Sequence, residues 1–362
     1  MFGSHQQRIG TVLWLGFLVL IGGHVSAETV VRPLVDRPGG CAYCEATLEA
    51  MATATATIDA LLSSAKVEAN PLLEGLVAAH QRGVVVRVLL DASDWAPEIT
   101  ESNGRALSYL QEHGIEARFD DPAVTTHAKM LIVDRRVAVI GSTNWNDHAF
   151  YDHEQANVLI EDARIGHLLT EYFERLWEQR LAPGGLAIDL EEVFAGPSVI
   201  VPLPDTEDTS LYATLLLELL PRAQRSVHVA MYRMSIYPNY PDSVSNRIAS
   251  ELLAAAGRGV DVKVLLDDCR YYEESAKANL ASAIYLYQHG IEVRFDRPEE
   301  TTHAKLVVVD GASVVLGSTN WNYYSLEKNV EVSIAFLQIP AIAGVYEAYF
   351  QSLWREGRTI TP

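Results

Sequence analysis

Apolar residues along this chain come in short runs that switch between two spacings. Residues 84–90 (VVVRVLL) and 260–266 (VDVKVLL) are β-branched runs, the composition of strands buried on both faces. Each follows a stretch with helical spacing, 72–82 and 250–258, that stops at Gly83 or Gly259 as helices commonly do. Residues 106–113 and 281–289 read as helices ending before a glycine, with His113 and His289 as C-terminal caps. A short strand, 114–119, follows the first of them. Two further strands, 130–133 and 137–140, meet at Asp134-Arg135-Arg136, and 306–309 and 314–316 meet at Asp310-Gly311-Ala312. YFERLW at 172 and YFQSLW at 349 carry aromatics at near-helical spacing, which predicts core-facing helix positions. Strand and helix alternate, so the predicted class is α/β with a largely buried sheet.

The pattern occurs twice. HGIEARFDDPAVTTHAKMLIVD, from His113, and HGIEVRFDRPEETTHAKLVVVD, from His289, share 15 of 22 residues at an offset of 176. GSTNWN at 141 and at 317 keeps that offset, whereas the YF-x-x-LW segments stand 177 apart, so one residue is inserted between these landmarks. The chain therefore reads as a duplication. The Pro-, Gly- and acid-rich stretch 181–210 is the connector, which gives repeats 28–185 and 186–362.

With 49% hydrophobic and 21% charged residues among 362, the chain has the make-up of a globular protein with room for two domains. The N-terminus changes the picture. Arg8 is the only charged side chain before Glu28, residues 11–23 are almost wholly apolar, and Val25-Ser26-Ala27 is small. Residues 1–27 thus read as a signal peptide for export to the periplasm or beyond. An uncleaved anchor is the alternative. In an exported protein Cys41 and Cys44 form a local disulfide or remain idle thiols, and Cys269 stands alone. The net charge of −19 disfavours a long polyanion as partner but does not exclude a local basic cleft.

The chemistry lies in TTHAKMLIVD and TTHAKLVVVD. In a strand, residues two apart share a face, so His127 projects with Lys129, and His303 with Lys305. An imidazole beside an ammonium loses proton affinity unless an anion lies between them. A phosphate fits: lysine supplies charge, histidine a nucleophile or a proton. Gly141 and Gly317 allow close approach of backbone or ligand. Ser142, Asn144, Ser318 and Asn320 set small hydrogen-bonding groups nearby. Glu154 and Glu331, at the later offset of 177, could each hold one imidazole nitrogen and leave the other free. Asp152 or Asn157 are alternatives to Glu154.

His-x-Lys-x4-Asp followed by Gly-Ser-x-Asn, twice and in register, resembles the phospholipase D superfamily. His127, Lys129, Asp134, Gly141, Ser142 and Asn144 match one motif; His303, Lys305, Asp310, Gly317, Ser318 and Asn320 match the other. The resemblance implies two tandem repeats, each a mixed β-sheet flanked by helices, related by a pseudo-two-fold axis and sharing one site. It implies attack on phosphorus by one histidine, with a phosphohistidine intermediate, while the other serves as acid and then base. It implies no cofactor and no metal. In most members the N-terminal histidine is the nucleophile, which would be His127.

Other readings attach to several residues. Asp134 and Asp310 sit at hairpin turns, where Asp is favoured for backbone reasons. Trp145 and Trp321 read as packing beneath the site. Asp147, His148 and His153 invite a metal reading that has no counterpart in YYSLEKN of the second repeat. For substrate, the charge, the lack of a Lys/Arg cluster and the aromatic loop 232–246 (YRMSIYPNYPDSVSN) favour phospholipid, with transient contact at a membrane surface. An exported endonuclease on DNA or RNA is the alternative, because aromatic loops also stack bases. A binding protein that has lost catalysis is a third reading, and two intact motifs argue against it.

Overall fold

The computed structural model describes residues 18–20, 23–24, 29–92, 96–180, 186–268 and 272–360. Most of the expected leader, and Cys269, lie outside these residues. Of the leader, Leu18–Leu20 and Gly23–His24 are short strands paired with Leu186–Ile188 and with Val199–Asp205.

The two repeats thread seven strands in the same spatial order. In the first the order is Val30–Asp36, His153–Glu161, Val137–Gly141, Lys129–Val133, Thr57–Leu62, Val85–Leu90, Glu116–Phe119. In the second it is Val199–Asp205, Glu331–Leu337, Ser313–Gly317, Lys305–Val309, Ser226–Met231, Asp261–Leu266, Glu292–Phe295. The last three strands of each list run parallel and the others antiparallel, so both sheets are mixed. One core cluster runs across both repeats, from Met130 and Ile140 through Val201 and Leu216 to Leu306 and Phe336, and a second lies within the first repeat around Ile58, Val86, Leu131 and Trp145. Each closing helix crosses the boundary. Tyr172, on Ala163–Trp177, donates its hydroxyl to the Asp205 carbonyl at 2.7 Å, and Tyr346, on Pro340–Glu356, donates to the Asn157 carbonyl at 2.6 Å.

The strands predicted at 84–90 and 260–266 are Val85–Leu90 and Asp261–Leu266. Three helices are longer than their apolar periodicity indicates: Pro97–Glu112 for 106–113, Val244–Gly257 for 250–258 and Glu273–Gln288 for 281–289. Their first turns are polar, and the first two are started by Pro97 and by the Ser243 cap, which a count of apolar positions misses. His113 and His289 do cap: each ring Nδ1 reaches a carbonyl of the last turn, at 2.8 and 2.7 Å.

The strands that carry the lysines begin at Lys129 and Lys305 themselves, so each histidine stands two residues before its strand. It is held there by the other repeat. The His127 amide donates to the Val330 carbonyl at 2.8 Å, and the His303 amide to the Glu154 carbonyl at 2.9 Å. This crossing of backbone between repeats brings the two motifs to one place.

Candidate active site

Each imidazole is fixed through Nδ1 by groups of the opposite repeat. His127 Nδ1 lies 3.1 and 3.0 Å from the two oxygens of Glu331. His303 Nδ1 lies 3.0 Å from the Ser142 carbonyl oxygen and 3.2 Å from Gln155 Oε1. Ser318 Oγ donates to Glu331 at 2.5 Å and Ser142 Oγ donates to Gln155 at 2.6 Å, so these two residues fill equivalent positions. Backbone bonds give the same register: the Ser142 amide meets the Ala156 carbonyl, and the Ser318 amide meets Val332. The offset is still 176 here, which makes Gln155 the counterpart of Glu331, and Glu154 the counterpart of Val330.

The expectation for Glu154 is therefore corrected. Its carboxylate does not hold His303; it is buried against Arg37, 3.1 Å away. Neither Asp152 nor Asn157 takes its place. Asp152 pairs with His148 on the surface at 2.7 Å, and Asn157 Oδ1 accepts the Ser142 amide at 3.0 Å. The inserted residue comes later. The Asp162 amide meets the Arg136 carbonyl, and the Ile339 amide meets Ala312, an offset of 177 on one side and 176 on the other. Gln338, at φ +54°, is the extra residue. Placing the insertion before the carboxylate, where two glutamates happened to align, concealed Gln155.

Lys129 and Lys305 are both 1% exposed, and each ammonium donates to the carbonyl of the histidine two residues before it. Burial lowers Lys129 to about 7, against the pull of Glu331 and Asp91. Burial also lowers His127, opposed by Glu331 and reinforced by Lys129 and Lys305. His303 falls well below the usual imidazole value, through burial and the charges of Lys305, His153, Lys129 and His127. Burial pushes Glu331 up, but His127, Lys129 and Ser318 outweigh it and leave the carboxyl below its usual range. Each histidine thus feels the lysine of the other repeat, so the two motifs form one electrostatic unit. Asn144 and Asn320 stand two residues past the serines, and each has a buried side-chain oxygen that meets no donor among the described residues.

The glycines serve backbone, not ligand. A Cβ on Gly141 would strike Asn157, and one on Gly317 would strike Ser333, in each case on the neighbouring strand. Trp145 and Trp321 are fully buried and donate to the hydroxyls of Tyr43 and Tyr212 at 2.9 and 2.8 Å.

Asp134 and Asp310 are not brought to the histidines. Each lies past the far end of its strand, at φ 50° and 55°, and gathers backbone amides. Asp134 accepts from Thr55, Ala56 and Thr57 at 2.8 to 2.9 Å, and Asp310 from Gln224, Arg225 and Ser226 at 2.6 to 3.0 Å. Burial alone would raise Asp134, but these donors hold it below the usual range. Both are removed from the site and assigned to the turn.

Beyond Gln155, sequence reasoning missed two pairs. Thr126 and Thr302 are tied by their amides to Asp91 at 2.7 Å and Asp267 at 2.8 Å. Asn103 and Asn279 each knit three backbone groups beneath the site. All four acceptor residues recur at the offset of 176, which was the available signal. The loop 232–246 does reach the site: the Tyr232 ring lies 4.7 Å from the His303 ring and 4.7 Å from the Lys305 ammonium.

A family model described as "Cardiolipin synthase, PLD-like domain" matches residues 48–177 and 216–354, most of the chain and both repeats. The chain belongs to the phospholipase D-like family. Among relatives of this phospholipase D-like chain, mitochondrial cardiolipin hydrolase of Homo sapiens is 34% identical over 142 residues, 39% of this chain and 54% of that protein. Cardiolipin synthase A of Escherichia fergusonii is 22% identical over 300 residues, 74% of this chain and 57% of that protein. The chain thus spans little more than half the length of either relative. A solved phosphatidylserine synthase of Haemophilus influenzae Rd KW20 superposes with a TM-score of 0.73 at 12% identity, over 94% of this chain and 89% of that one, a likeness of fold.

Proposed function

We propose that this chain is a phosphodiesterase that cleaves a phospholipid, or transfers its phosphatidyl group, through a phosphohistidine. The observation that carries the reading is the meeting of His127 and His303 with two buried lysines, each histidine held by the opposite repeat. The cationic pair binds a phosphodiester anion. Binding raises the depressed proton affinity of the site, so that one imidazole is charged while the other is neutral. Asn144 and Asn320, with Lys129 and Lys305, supply donors for the non-bridging oxygens, whose charge grows in the transition state. One histidine attacks and the other moves the leaving-group proton.

Lipid is favoured by the net charge of −19, by the names of the relatives and by Tyr232, which gives one wall of the site an aromatic face. The Cys41–Cys44 disulfide supports the proposed export to an oxidising compartment. The test is a side-by-side assay on cardiolipin vesicles, phosphatidylcholine vesicles and single-stranded DNA. Release of phosphatidic acid from lipid, with DNA left intact, is expected, and added glycerol should divert part of the product to a transfer lipid. Cleavage of DNA without cleavage of lipid overturns the substrate assignment.

A further inference from the structure

His153 opens the strand His153–Glu161, and its ring centre lies 5.9 Å from that of His303. Its Nδ1 is buried and meets no hydrogen-bond partner among the described residues. Other histidines of the chain use that atom. His113 places it on the Tyr109 carbonyl at 2.8 Å, His148 on Asp152 at 2.7 Å, and His228 on Glu347 at 2.8 Å. An imidazole kept for packing is ordinarily paired in this way, because an unpaired buried nitrogen is destabilising. The second repeat does pair the equivalent position. Thr126 bridges to Val330 as Thr302 pairs with Glu154, which makes Asn329 the counterpart of His153. The Asn329 amide donates to Glu331 at 3.2 Å. Beside His127 this position is thus closed, and beside His303 it is open.

We propose that His153 binds a hydroxyl of the leaving alcohol, and so selects phospholipids whose head group is a polyol such as glycerol. This rests on the phosphodiesterase reading above and keeps the division of work that the family resemblance implies. His127 Nε2 attacks phosphorus, and the N–P bond forms as the P–O bond to the head-group alcohol breaks. His303 Nε2–H gives its proton to that oxygen. Water then attacks phosphorus and gives a proton to His303 as the N–P bond breaks. The head group therefore departs on the His303 side, where His153 stands. Burial lowers His153 to about 4, against Asp152 and with the help of His148 and Lys305. Near pH 7 its ring is neutral and offers one donor and one acceptor, which is the pairing a hydroxyl satisfies. A cationic head group is disfavoured in the same place. The charges of Lys305 and Lys129 both bear on His303, and the Tyr232 ring already lies 4.7 Å from the Lys305 ammonium.

The probes are phosphatidylglycerol and phosphatidylpropanol in mixed micelles, two anionic lipids whose head groups differ only in hydroxyls. The native protein should cleave the first with a kcat/KM roughly tenfold above the second, the scale of one hydrogen bond to a buried group. His153→Phe, which keeps a ring and removes both nitrogens, should bring that ratio close to one. His153→Asn, which sets an amide where Nδ1 stood and matches Asn329, should keep most of it. A merely structural His153 would lower both lipids together in His153→Phe and leave the ratio at its native value, and that result overturns the proposal. Equal cleavage of the two lipids by the native protein overturns it as well, and that comparison needs no variant to fold. The wider reading fails separately. A native protein that cleaves bis(4-nitrophenyl) phosphate but neither lipid overturns the head-group assignment and leaves a phosphodiesterase. One that cleaves none of the three sinks the phosphodiesterase reading itself.

Discussion

Set side by side, the two repeats share the hydrogen-bonded frame and the His, Lys and Asn of the site, and differ in what stands behind and beside the histidines. Asn103 and Asn279, Asp91 and Asp267, and Trp145 and Trp321 make the same bonds in both. The differences cluster at the histidines and at the rim. Gln155 opposes Glu331. Ser63, whose amide meets the Ala128 carbonyl, stands where Tyr232 meets Ala304. Cys41 caps the first helix of its repeat through Sγ where Ser210 caps through its hydroxyl. A duplicated scaffold thus supplies a symmetric set of histidines, lysines and asparagines. The proposed reaction is not symmetric, because one side would make a bond and the other would carry a proton. A few side chains break the symmetry, while the hydrogen-bonded frame beneath them is left alone.

The sharpest way to break this comparison is to remove one histidine at a time. His127→Ala and His303→Ala should each lower turnover of phospholipid by at least ~10²-fold, the scale of a lost general acid or base. Turnover is scored per folded molecule, since His127→Ala leaves the buried Glu331 carboxylate with Ser318 and Asn329 as its remaining side-chain donors. Phospholipid turnover by either variant at the native rate would mean that one repeat works alone, and the two motifs would not share a site.

A smaller effect comes from the turn aspartates. Asp134→Ala and Asp310→Ala each remove the acceptor of three backbone amides at a largely exposed turn, at a cost of about 0.5–1.5 kcal/mol of stability. Turnover per folded molecule should hold, read as activity below the melting range. If turnover fell tenfold while the melt was unchanged, these carboxylates would belong to the chemistry and not to the turn.

Much of this was legible in the chain because duplication writes the same constraint twice. The strands 84–90 and 260–266 are runs rich in β-branched residues, and the lysine-bearing strands carry a repeated phrase. What hid was of two kinds. The polar first turns of Pro97–Glu112 and Val244–Gly257 owe their shape to caps and to tertiary packing, which apolar spacing does not record. Gln155 hid because two glutamates aligned by chance at an offset that had not yet changed. Only the pairing of Ser142 and Ser318 with neighbouring strands fixes the register. A one-residue slip on a strand sends a side chain to the other face, and that is the difference between holding His303 and facing Arg37.

The adjacent pair Glu154 and Gln155 gives the finest test. Glu154 is buried against Arg37, and burial outweighs that guanidinium to raise its carboxyl to about 7 from 4.5. Between those values the folded chain binds more protons at this position than the unfolded chain does. Its contribution to stability is present in full below the unfolded value and is lost as pH rises through the folded one. Asp36 and Asp120, raised to about 6 and about 7, impose the same sign, so the comparison is the difference between variant and parent. Glu154→Gln should flatten the decline of stability between about pH 4.5 and 7, a change on the order of 1–3 kcal/mol over the window. Arg37 keeps its second partner, Glu356, at 2.7 Å. Phospholipid turnover should keep its native pH profile. A shifted acid limb in Glu154→Gln, with Gln155→Glu silent, would return the carboxylate at 154 to His303 and reverse the register on which the asymmetry of the two repeats depends.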